Sequence, residues 1–472
     1  MNITSNPFIA RLLLLAAIPS VSIHAAPGIR VHYIDNSLEK NIPSAPVRTA
    51  EETASIGAPE AVITLAPGQT YQKVSGLGAA FSEIGTLAVM GLPEDKRRSL
   101  LYSLFEVSHG AGFSLCRLPI GSSDFATSAY SYAEKKDDYE LAFFSIDRDR
   151  ASLIPVVRAA RETNPELAVF ASPWSPPGWM KISGTMDKGG DDSRLRNDKP
   201  VYQAWADYLV KYLAAYRAEG IPISRVCPQN EMDCNPKYPG CVMTPDQTVP
   251  LVVDYLAPRL KASGLPVELW AGTFREGKKA PWATACMRDA RFRESIIGLA
   301  IQYFEAPVVE ELVNAHRGVR LMHSEANCNN GDNSAAQARA RMGEIIGIFN
   351  AGCENYAYWN MILDENQKSG WDWKQNSLVT IDRATSTITW NPDFQPVCLV
   401  SRWVRPGDVR ISASITGSFR TPLTAFRKPD GRVIVLAQNQ GNSAVAITID
   451  LAGNHISATL PASADCVLEI SP

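Results

Sequence analysis

The sequence has almost no net charge and few histidines. Lysine and arginine number 46, aspartate and glutamate number 49, and the formal net charge is therefore −3. Without an excess of basic residues the chain does not attract nucleic acid or an anionic membrane surface, so we expect neither as a partner. The six histidines are scattered, and no group of cysteines and histidines has the spacing of a zinc site. We therefore predict neither a metal nor another cofactor.

Long apolar runs are also missing, so no membrane span is predicted. One short run, Leu12–Ile18, follows Arg11 and precedes small residues around Ala26. A basic residue, an apolar run and small residues in this order predict a signal peptide over residues 1–26, with export to the periplasm or the exterior. A membrane anchor is the alternative, which the shortness of the run disfavours.

The nine cysteines do not form a disulfide framework. Their number is odd, and most of them lie in apolar runs, as Cys116 and Cys353 do, where a thiol behaves as a small hydrophobic group. One pair differs, because Cys234 and Cys241 flank the turn-rich sequence Asn-Pro-Lys-Tyr-Pro-Gly. In an exported protein this pair predicts a disulfide that closes the loop.

The length of 472 residues and the hydrophobic content of 45% suit a large soluble domain with a smaller one beside it. From about Val74 onward, apolar runs typical of buried parallel strands alternate with amphipathic helical stretches. This pattern predicts an α/β fold, a (β/α)8 TIM barrel. A doubly wound sheet would need a glycine-rich phosphate loop, for which Gly76-Leu-Gly78 is too short a match. The eight predicted strands are Val74–Phe81, Phe113–Ile120, Leu167–Trp174, Ser224–Asn230, Val267–Thr273, Gly298–Phe304, Val319–Glu325 and Asn355–Asn360.

Both chain ends show a different pattern. Short alternating runs precede the barrel, and strand-like runs separated by turn sequences follow it. We predict that both ends form one β-sandwich attached to the barrel, with residues 27–70 and 396–472 in the sandwich and residues 71–395 in the barrel. The predicted sandwich strands include Ile29–Tyr33, Ala61–Leu65, Thr421–Phe426, Val433–Ala437, Ala444–Ile449 and Cys466–Ile470. The predicted barrel helices include Glu94–Phe105, Asp147–Thr163, Tyr202–Glu219, Thr248–Ser263 and Ser334–Asn350.

Two predicted barrel strands end in a glutamate. The fourth runs into Gln229-Asn230-Glu231 and the seventh into Ser324-Glu325. The carboxyl ends of the strands form the active site of (β/α)8 enzymes, so two carboxylates there suggest acid and base catalysis. For either glutamate alone, an exposed loop residue is a simpler interpretation than a catalytic residue. The pair, together with aromatic residues at other strand ends, favours a catalytic site.

Aromatic and polar side chains follow three further predicted strands. Asp124 follows the second strand, Trp174 ends the third and Trp179 follows it, and Trp359 and Asn360 end the eighth. Indole rings stack on sugar faces while carboxylates and amides bind sugar hydroxyls, so this set predicts a carbohydrate site. The alternative is that the tryptophans only pack in the core. For Trp179 the sequence does not distinguish a sugar-binding role from a packing role.

In their order along the chain, these motifs resemble those of glycoside hydrolase family 30, which includes lysosomal glucosylceramidase. The matching stretches are Gly78–Ser82, Arg117–Asp124, Ala171–Trp179, Gln229–Glu231, Ser324–Ala326 and Trp359–Asn360. The resemblance implies a retaining β-glycosidase whose (β/α)8 barrel carries a β-sandwich built from both chain ends.

The resemblance also implies roles for single residues. Glu231 would be the general acid/base and Glu325 the nucleophile, with Arg117 supporting Glu325. Asn230 would contact the 2-hydroxyl of the sugar. The other implied binding residues are Asp124 and Trp174 for the outer hydroxyls and Trp359 for the floor of the site.

One motif departs from the glucosylceramidase pattern. Those enzymes have His-Trp-Tyr at the end of the sixth strand, whereas this chain has Gln302-Tyr303-Phe304, so the tyrosine hydroxyl near the nucleophile is missing or comes from Tyr303. The leaving-group preference is therefore open. We expect a β-1,6-glucanase, with glucosylceramidase or an exo-acting β-glucosidase or β-xylosidase as alternatives.

A non-catalytic carbohydrate-binding protein is an alternative from another class. Such a protein would need the aromatic residues and Asp124 but no pair of reactive glutamates. Endo or exo action and the oligomeric state stay open.

Overall fold

The computed structural model describes residues 28–35, 48–51, 59–189, 193–275, 280–303 and 305–471. The predicted signal peptide over residues 1–26 and the side chain of Phe304 lie outside these ranges. In chain order the strands are β1 (Ile29–Asp35), β2 (Arg48–Glu51), β3 (Ala61–Lys73), β4 (Gly76–Ala80), β5 (Leu115–Ile120), β6 (Ala168–Pro173), β7 (Arg225–Val226), β8 (Glu268–Phe274), β9 (Gly298–Ile301), β10 (Arg320–His323), β11 (Asn355–Asn360), β12 (Ile362–Asp364), β13 (Val379–Asp382), β14 (Thr387–Trp390), β15 (Val409–Gly417), β16 (Leu423–Arg427), β17 (Val433–Asn439), β18 (Val445–Leu451), β19 (Asn454–Leu460) and β20 (Ala464–Ile470).

The α-helices alternate with the barrel strands. They are α1 (Glu83–Met90), α2 (Glu94–Phe105), α3 (Leu153–Thr163), α4 (Lys199–Ala218), α5 (Pro245–Pro250), α6 (Ala257–Ser263), α7 (Pro281–Met287), α8 (Ala290–Ser295), α9 (Ala306–Ala315), α10 (Ala335–Asn350) and α11 (Phe394–Trp403), with a π-helical segment, Leu251–Leu256, joining α5 to α6. Helix α2 has the predicted bounds, and α10 begins after Ser334, whose hydroxyl caps it by accepting from Gln337 N. In the part of the chain that the structure describes, no helix is long and apolar enough to cross a membrane.

Strands β4 to β11 form a parallel sheet in the order β10-β9-β8-β7-β6-β5-β4-β11. The sheet closes between β10 and β11, where Glu354 N donates to Leu321 O at 2.9 Å and Ala326 N donates to Ala357 O at 2.8 Å. Helices pack around this barrel because the outward side chains of the strands are apolar and buried. The predicted (β/α)8 barrel is confirmed, and β11 has the predicted bounds.

The lower part of the barrel is filled by side chains rather than open. A separate cluster of buried residues, each at most 1% exposed, takes members from strands all around the barrel: Leu115, Phe170, Cys227, Trp270, Ala300, Met322 and Ala357. At the amino-terminal end of the strands, Arg320 forms ion pairs with Glu268 at 3.0 Å and with Glu354 at 2.5 Å. The charged side chains at this end thus pair with one another, and the barrel mouth at the opposite end is where a ligand is expected to bind.

The sandwich is built from both chain ends, as predicted. Among the described residues its sheet has nine strands in the order β19-β18-β3-β15-β16-β17-β20-β1-β2. Strands β1 and β20 are antiparallel, with Ile29 opposite Ile470, while β18 and β3 are parallel. Apolar residues of these strands enclose a core of their own.

The prediction that residues after 395 are all β-structure is wrong for α11. The run Val397-Cys-Leu-Val400 has the composition of a strand, but it lies inside this helix and is fully buried. Helix α11 packs against α10, β1 and β20 and thus between barrel and sandwich. An apolar run enclosed on all sides has no polar face, so its period does not distinguish helix from strand.

Candidate active site

The fourth and seventh barrel strands bring Glu231 and Glu325 to the barrel mouth. Strand β7 is only two residues long, and the irregular backbone after it is held by neighbouring strands: Asn230 N donates to Pro173 O at 2.6 Å and Thr273 N donates to Gln229 O at 2.7 Å. Glu231 has a φ of 46°, in the left-handed region that non-glycine residues rarely adopt. Such a conformation costs about 1 kcal/mol or more and persists where the surrounding contacts enforce it.

Glu325 is surrounded by hydrogen-bond donors. Its Oε2 accepts from Arg117 Nη1 at 2.5 Å and from Gln302 Nε2 at 3.1 Å, while Oε1 accepts from Tyr303 hydroxyl at 2.7 Å. The carboxylate is 5% exposed and Arg117 is fully buried. A guanidinium and two neutral donors suit an ionised carboxylate, because each bond is stronger to the anion than to the acid. The structure thus places the Tyr303 hydroxyl beside Glu325.

Glu231 has a less compensated environment. Its Oε2 accepts from Tyr238 hydroxyl at 2.9 Å, and Arg275 Nε lies 3.6 Å from Oε1. Burial raises the pKa of Glu231 to about 7, and the charge of Glu325 acts in the same direction, whereas Arg275 and Tyr238 lower it. The protonated form of Glu231 is therefore well populated near neutral pH.

Asn230 connects the two sides of the site. Its Oδ1 accepts from Arg117 Nη2 at 2.6 Å, from Thr273 Oγ1 at 2.8 Å and from Gln302 Nε2 at 3.1 Å. Since the oxygen already receives three donors, the amide Nδ2 is the group of Asn230 that can donate to a ligand.

Asp124 carries a buried carboxyl group, and one of its oxygens accepts no hydrogen bond from the described residues. The residue is 6% exposed, and no donor from the described part of the chain reaches its Oδ1. Burial and the nearby charges of Glu325 and Glu231 raise the pKa of Asp124 well above its usual range. A buried carboxyl oxygen without a partner is costly unless a ligand hydroxyl supplies the hydrogen bond.

The two predicted site tryptophans lie together, while the third packs elsewhere. Trp174 and Trp359 stack with ring centroids 4.9 Å apart, and the guanidinium carbon of Arg117 lies 4.6 Å from the Trp174 ring. Both rings are 2% exposed, so they form a floor rather than an open platform. Trp179 is a packing residue, because its Nε1 donates to Ala133 O at 2.8 Å and its ring meets Tyr139 edge to face.

Several residues at the mouth were not predicted as site residues from the sequence. Gln302 donates to Glu325 and to Asn230, and Thr273 donates to Asn230. A signal for Gln302 exists, since it is an amide at the end of the apolar run Gly298–Ile301. Arg275 had the same signal, because it directly follows β8, whereas Tyr238 had none, because it reaches Glu231 from a loop.

The predicted disulfide between Cys234 and Cys241 is wrong, because both thiols are free. Cys234 Sγ accepts from Arg275 Nη1 at 2.8 Å, whereas Cys241 is fully buried. Another residue closes the loop instead: the buried Lys181 donates from Nζ to Gly240 O at 2.6 Å and to Met186 O at 2.9 Å. These two hydrogen bonds help to compensate the desolvation of the buried ammonium, and they connect the loop of Met186 to the loop of Gly240.

We expect both thiols to be free in solution. Alkylation of the denatured, unreduced protein followed by mass mapping should find Cys234 and Cys241 modified, and dithiothreitol should not change the denaturant midpoint. A linked peptide pair in the unreduced digest would contradict the expectation of free thiols.

Replacing Lys181 by methionine should lower the free energy of unfolding by about 2 kcal/mol, since two buried carbonyls lose a donor.

Comparison with known families identifies the chain. The Glycosyl hydrolase family 30 TIM-barrel domain matches residues 74–404, and the family 30 beta sandwich domain matches residues 407–464. The chain belongs to glycosyl hydrolase family 30. The resemblance read from the strand-end motifs is thereby confirmed, and this family 30 protein is a retaining glycosidase with a carbohydrate substrate.

Relatives of this family 30 protein have different activities in their names. Putative glucosylceramidase 3 of Caenorhabditis elegans is 28% identical over 411 residues, which cover 82% of this chain and 78% of the relative. Endo-1,6-beta-D-glucanase of Neurospora crassa is 26% identical over 428 residues, covering 88% of both chains. The crystal structure of SrfJ from Salmonella typhimurium has the same fold, with a TM-score of 0.84 at 24% identity and coverage of 94% and 99% of the two chains.

Proposed function

We propose that this family 30 enzyme hydrolyses β-glucosidic linkages by double displacement, with Glu325 as nucleophile and Glu231 as general acid/base. The observation that carries the proposal is the contrast between the two carboxylates. Glu325 accepts from the guanidinium of Arg117 and two neutral donors, whereas burial raises the pKa of Glu231 to about 7. Two carboxyl groups with such different environments are suited to opposite roles in glycoside cleavage.

In the first step, Glu325 attacks the anomeric carbon and the glycosidic oxygen takes the proton of Glu231. This forms a glycosyl ester on Glu325 and releases the leaving sugar with its new hydroxyl. In the second step, Glu231, now a carboxylate, accepts a proton from water, and the resulting hydroxide oxygen displaces Glu325 from the anomeric carbon. Two inversions restore the β-configuration of the product.

The same residues hold the sugar whose linkage is broken. The Nδ2 of Asn230 would donate to the 2-hydroxyl, and Asp124 would accept from hydroxyls farther from the scissile bond. Trp174 and Trp359 form the floor beneath the ring. Arg117 contacts Glu325 and Asn230 directly and so fixes the nucleophile relative to the 2-hydroxyl.

We propose β-1,6-glucan as the substrate class. The Neurospora crassa endo-1,6-beta-D-glucanase aligns over 88% of both chains, a larger share than the Caenorhabditis elegans relative named as a glucosylceramidase. The leaving-group side of the mouth is also polar, with exposed Lys188, Lys237 and Arg275. Export, which the sequence predicts, would bring the enzyme to a polymer outside the cell.

Glucosylceramidase activity is the second candidate, because several relatives carry that name. A ceramide leaving group would need an apolar surface at the mouth. Of the large exposed hydrophobic residues in the described chain, Ile182 and Phe143 lie in two different loops that follow barrel strands, whereas others, such as Tyr71 in β3 and Tyr102 in α2, lie on elements away from the mouth. This distribution favours a glucan over a lipid.

The test is a panel of substrates on the exported form of the enzyme. Soluble β-1,6-glucan should be cleaved faster than β-1,3-glucan, glucosylceramide in detergent micelles or an aryl β-xyloside, and Glu325→Gln should abolish each signal. Proton NMR of the first product should show the β-anomer. Faster cleavage of glucosylceramide would replace the proposed substrate class, binding of glucan without cleavage would leave a carbohydrate-binding protein, and the α-anomer would exclude double displacement.

Asp124 should contribute to transition-state binding. Asp124→Ala removes a carboxyl acceptor for sugar hydroxyls, so kcat/KM for an aryl β-glucoside should fall by about 30-fold, or about 2 kcal/mol. The matched control is an aryl β-xyloside, which lacks the hydroxymethyl group and should lose less. Unchanged kcat/KM for the glucoside would show that Asp124 does not bind the sugar.

A further inference from the structure

The leaving group of the substrate lies on the Glu231 side of the scissile bond, where Tyr238 hydroxyl donates to Glu231 Oε2 at 2.9 Å. The ring of Tyr238 contacts Trp373, with centroids 4.9 Å apart and a tilt of 50°. Trp373 also meets Phe125 edge to face at 6.5 Å, and Phe125 directly follows Asp124. The indole of Trp373 therefore spans from the residue beside Asp124 to the residue that contacts the acid/base.

The segment Ser369–Gln375 holds this indole in place. Gly370 N donates to Asp124 O at 3.0 Å, and a Cβ on Gly370 would lie 2.3 Å from Ala126 O, so only glycine allows this close approach. At the other end, Asn360 Nδ2 donates to Gln375 Oε1 at 2.8 Å. The segment is thus fixed to the ends of two barrel strands.

Trp373 is half-buried, unlike Trp174 and Trp359, which are 2% exposed. It therefore keeps some ring surface accessible to solvent while Tyr238 and Phe125 pack against the ring. Indole faces bind the C–H faces of sugars, and a fixed ring loses little conformational freedom on binding. The surrounding loops carry exposed charged residues, among them Lys237 and Arg275, which suit the hydroxyls of a sugar.

We propose that Trp373, backed by Tyr238, is the platform on which the leaving sugar of a β-glucan stacks, and that it selects a glucosyl leaving group. The inference rests on the proposed function of the same site. A leaving sugar stacked on Trp373 would have its glycosidic oxygen next to Glu231, because Tyr238 contacts both the Trp373 ring and Glu231. Trp373 is then a specificity-determining residue, because an activated substrate without a leaving sugar has no group that stacks on it.

The experiment compares two substrates that share the transferred glucose. One is β-1,6-linked glucotriose, and the other is β-glucosyl fluoride, whose leaving group is a single atom. In Trp373→Ala the ratio of kcat/KM for glucotriose to kcat/KM for the fluoride should fall by about 10-fold. Transfer of glucose from the fluoride to added β-1,6-linked glucobiose should fall in parallel, because the acceptor occupies the same platform.

Two variants serve as controls. Trp373→Phe keeps a flat ring and should recover most of the ratio. Trp371→Ala alters the same segment at a tryptophan whose Nε1 donates to Asp187 Oδ2 at 3.1 Å, and it should leave the ratio unchanged. Equal loss of both substrates in Trp373→Ala, or the same change of ratio in Trp371→Ala, would overturn the platform. Failure of the wild type to cleave either substrate would instead refute the proposed function.

Discussion

Replacement of Glu325 by alanine is expected to lower kcat by roughly 10⁵-fold with every β-glucoside, however good its leaving group. The reason is that Arg117, Gln302 and Tyr303 all donate to Glu325, and no other carboxylate of the described site accepts from such a set of donors. Single-turnover assays with dinitrophenyl β-glucoside measure the loss without interference from product release.

The anomer formed in the presence of azide distinguishes a nucleophile from any other essential residue. In Glu325→Ala, azide can occupy the space of the missing carboxylate and attack once, which gives the α-glycosyl azide. The matched control is Glu268→Gln at the other end of the barrel, where Glu268 pairs with Arg320, and it should keep wild-type kcat. A β-glycosyl azide from Glu325→Ala would assign the nucleophile elsewhere.

Replacement of Glu231 by alanine is expected to depend on the leaving group. With an unactivated glucan kcat/KM should fall by roughly 10³-fold, because the departing oxygen receives no proton. With a dinitrophenyl β-glucoside the first step should survive, and the glycosyl-enzyme should accumulate because no base activates water. Mass spectrometry should find this ester on Glu325. Azide needs no base and should restore turnover with a β-glycosyl azide as product.

The pH profile gives a second measurement of Glu231. Its pKa is raised to about 7 by burial and by the charge of Glu325, so kcat/KM for a glucan should fall as the pH rises through that value and the acid loses its proton. Arg275→Gln removes a nearby positive charge that lowers this pKa, and the basic limb should therefore move to higher pH. A basic limb that stays unchanged in Glu231→Ala would assign it to another group.

Much of the barrel could be predicted because its strands are continuous apolar runs separated by amphipathic helices. The position of Glu231 and Glu325 at the barrel mouth could be predicted for the same reason, since each directly follows such a run. Helix α11 was not, because an enclosed helix and a buried strand have the same composition. The Cys234–Cys241 loop was misread because sequence spacing does not reveal the direction of two sulfurs, nor a lysine that is distant in the chain.

The contacts that adjust the two glutamates were also beyond sequence reasoning. Tyr238 reaches Glu231 only because its loop folds back over the mouth, and Trp373 reaches Tyr238 from a segment 135 positions further along the chain. Such contacts depend on loops whose conformation comes from tertiary hydrogen bonds rather than from a local period. The sequence therefore predicts the strand-end carboxylates, whereas the loop contacts around them become visible only in the structure.

The position of β20 has a consequence for how the protein is made. Strand β20 lies inside its sheet, between β17 and β1, although it is the last strand along the described chain. During synthesis on the ribosome, β1 emerges first and must wait for β20, and until then both β1 and β17 expose an unpaired edge. We therefore expect the interval before the final strand arrives to be the time at which the unpaired edges of this sheet can pair with other chains.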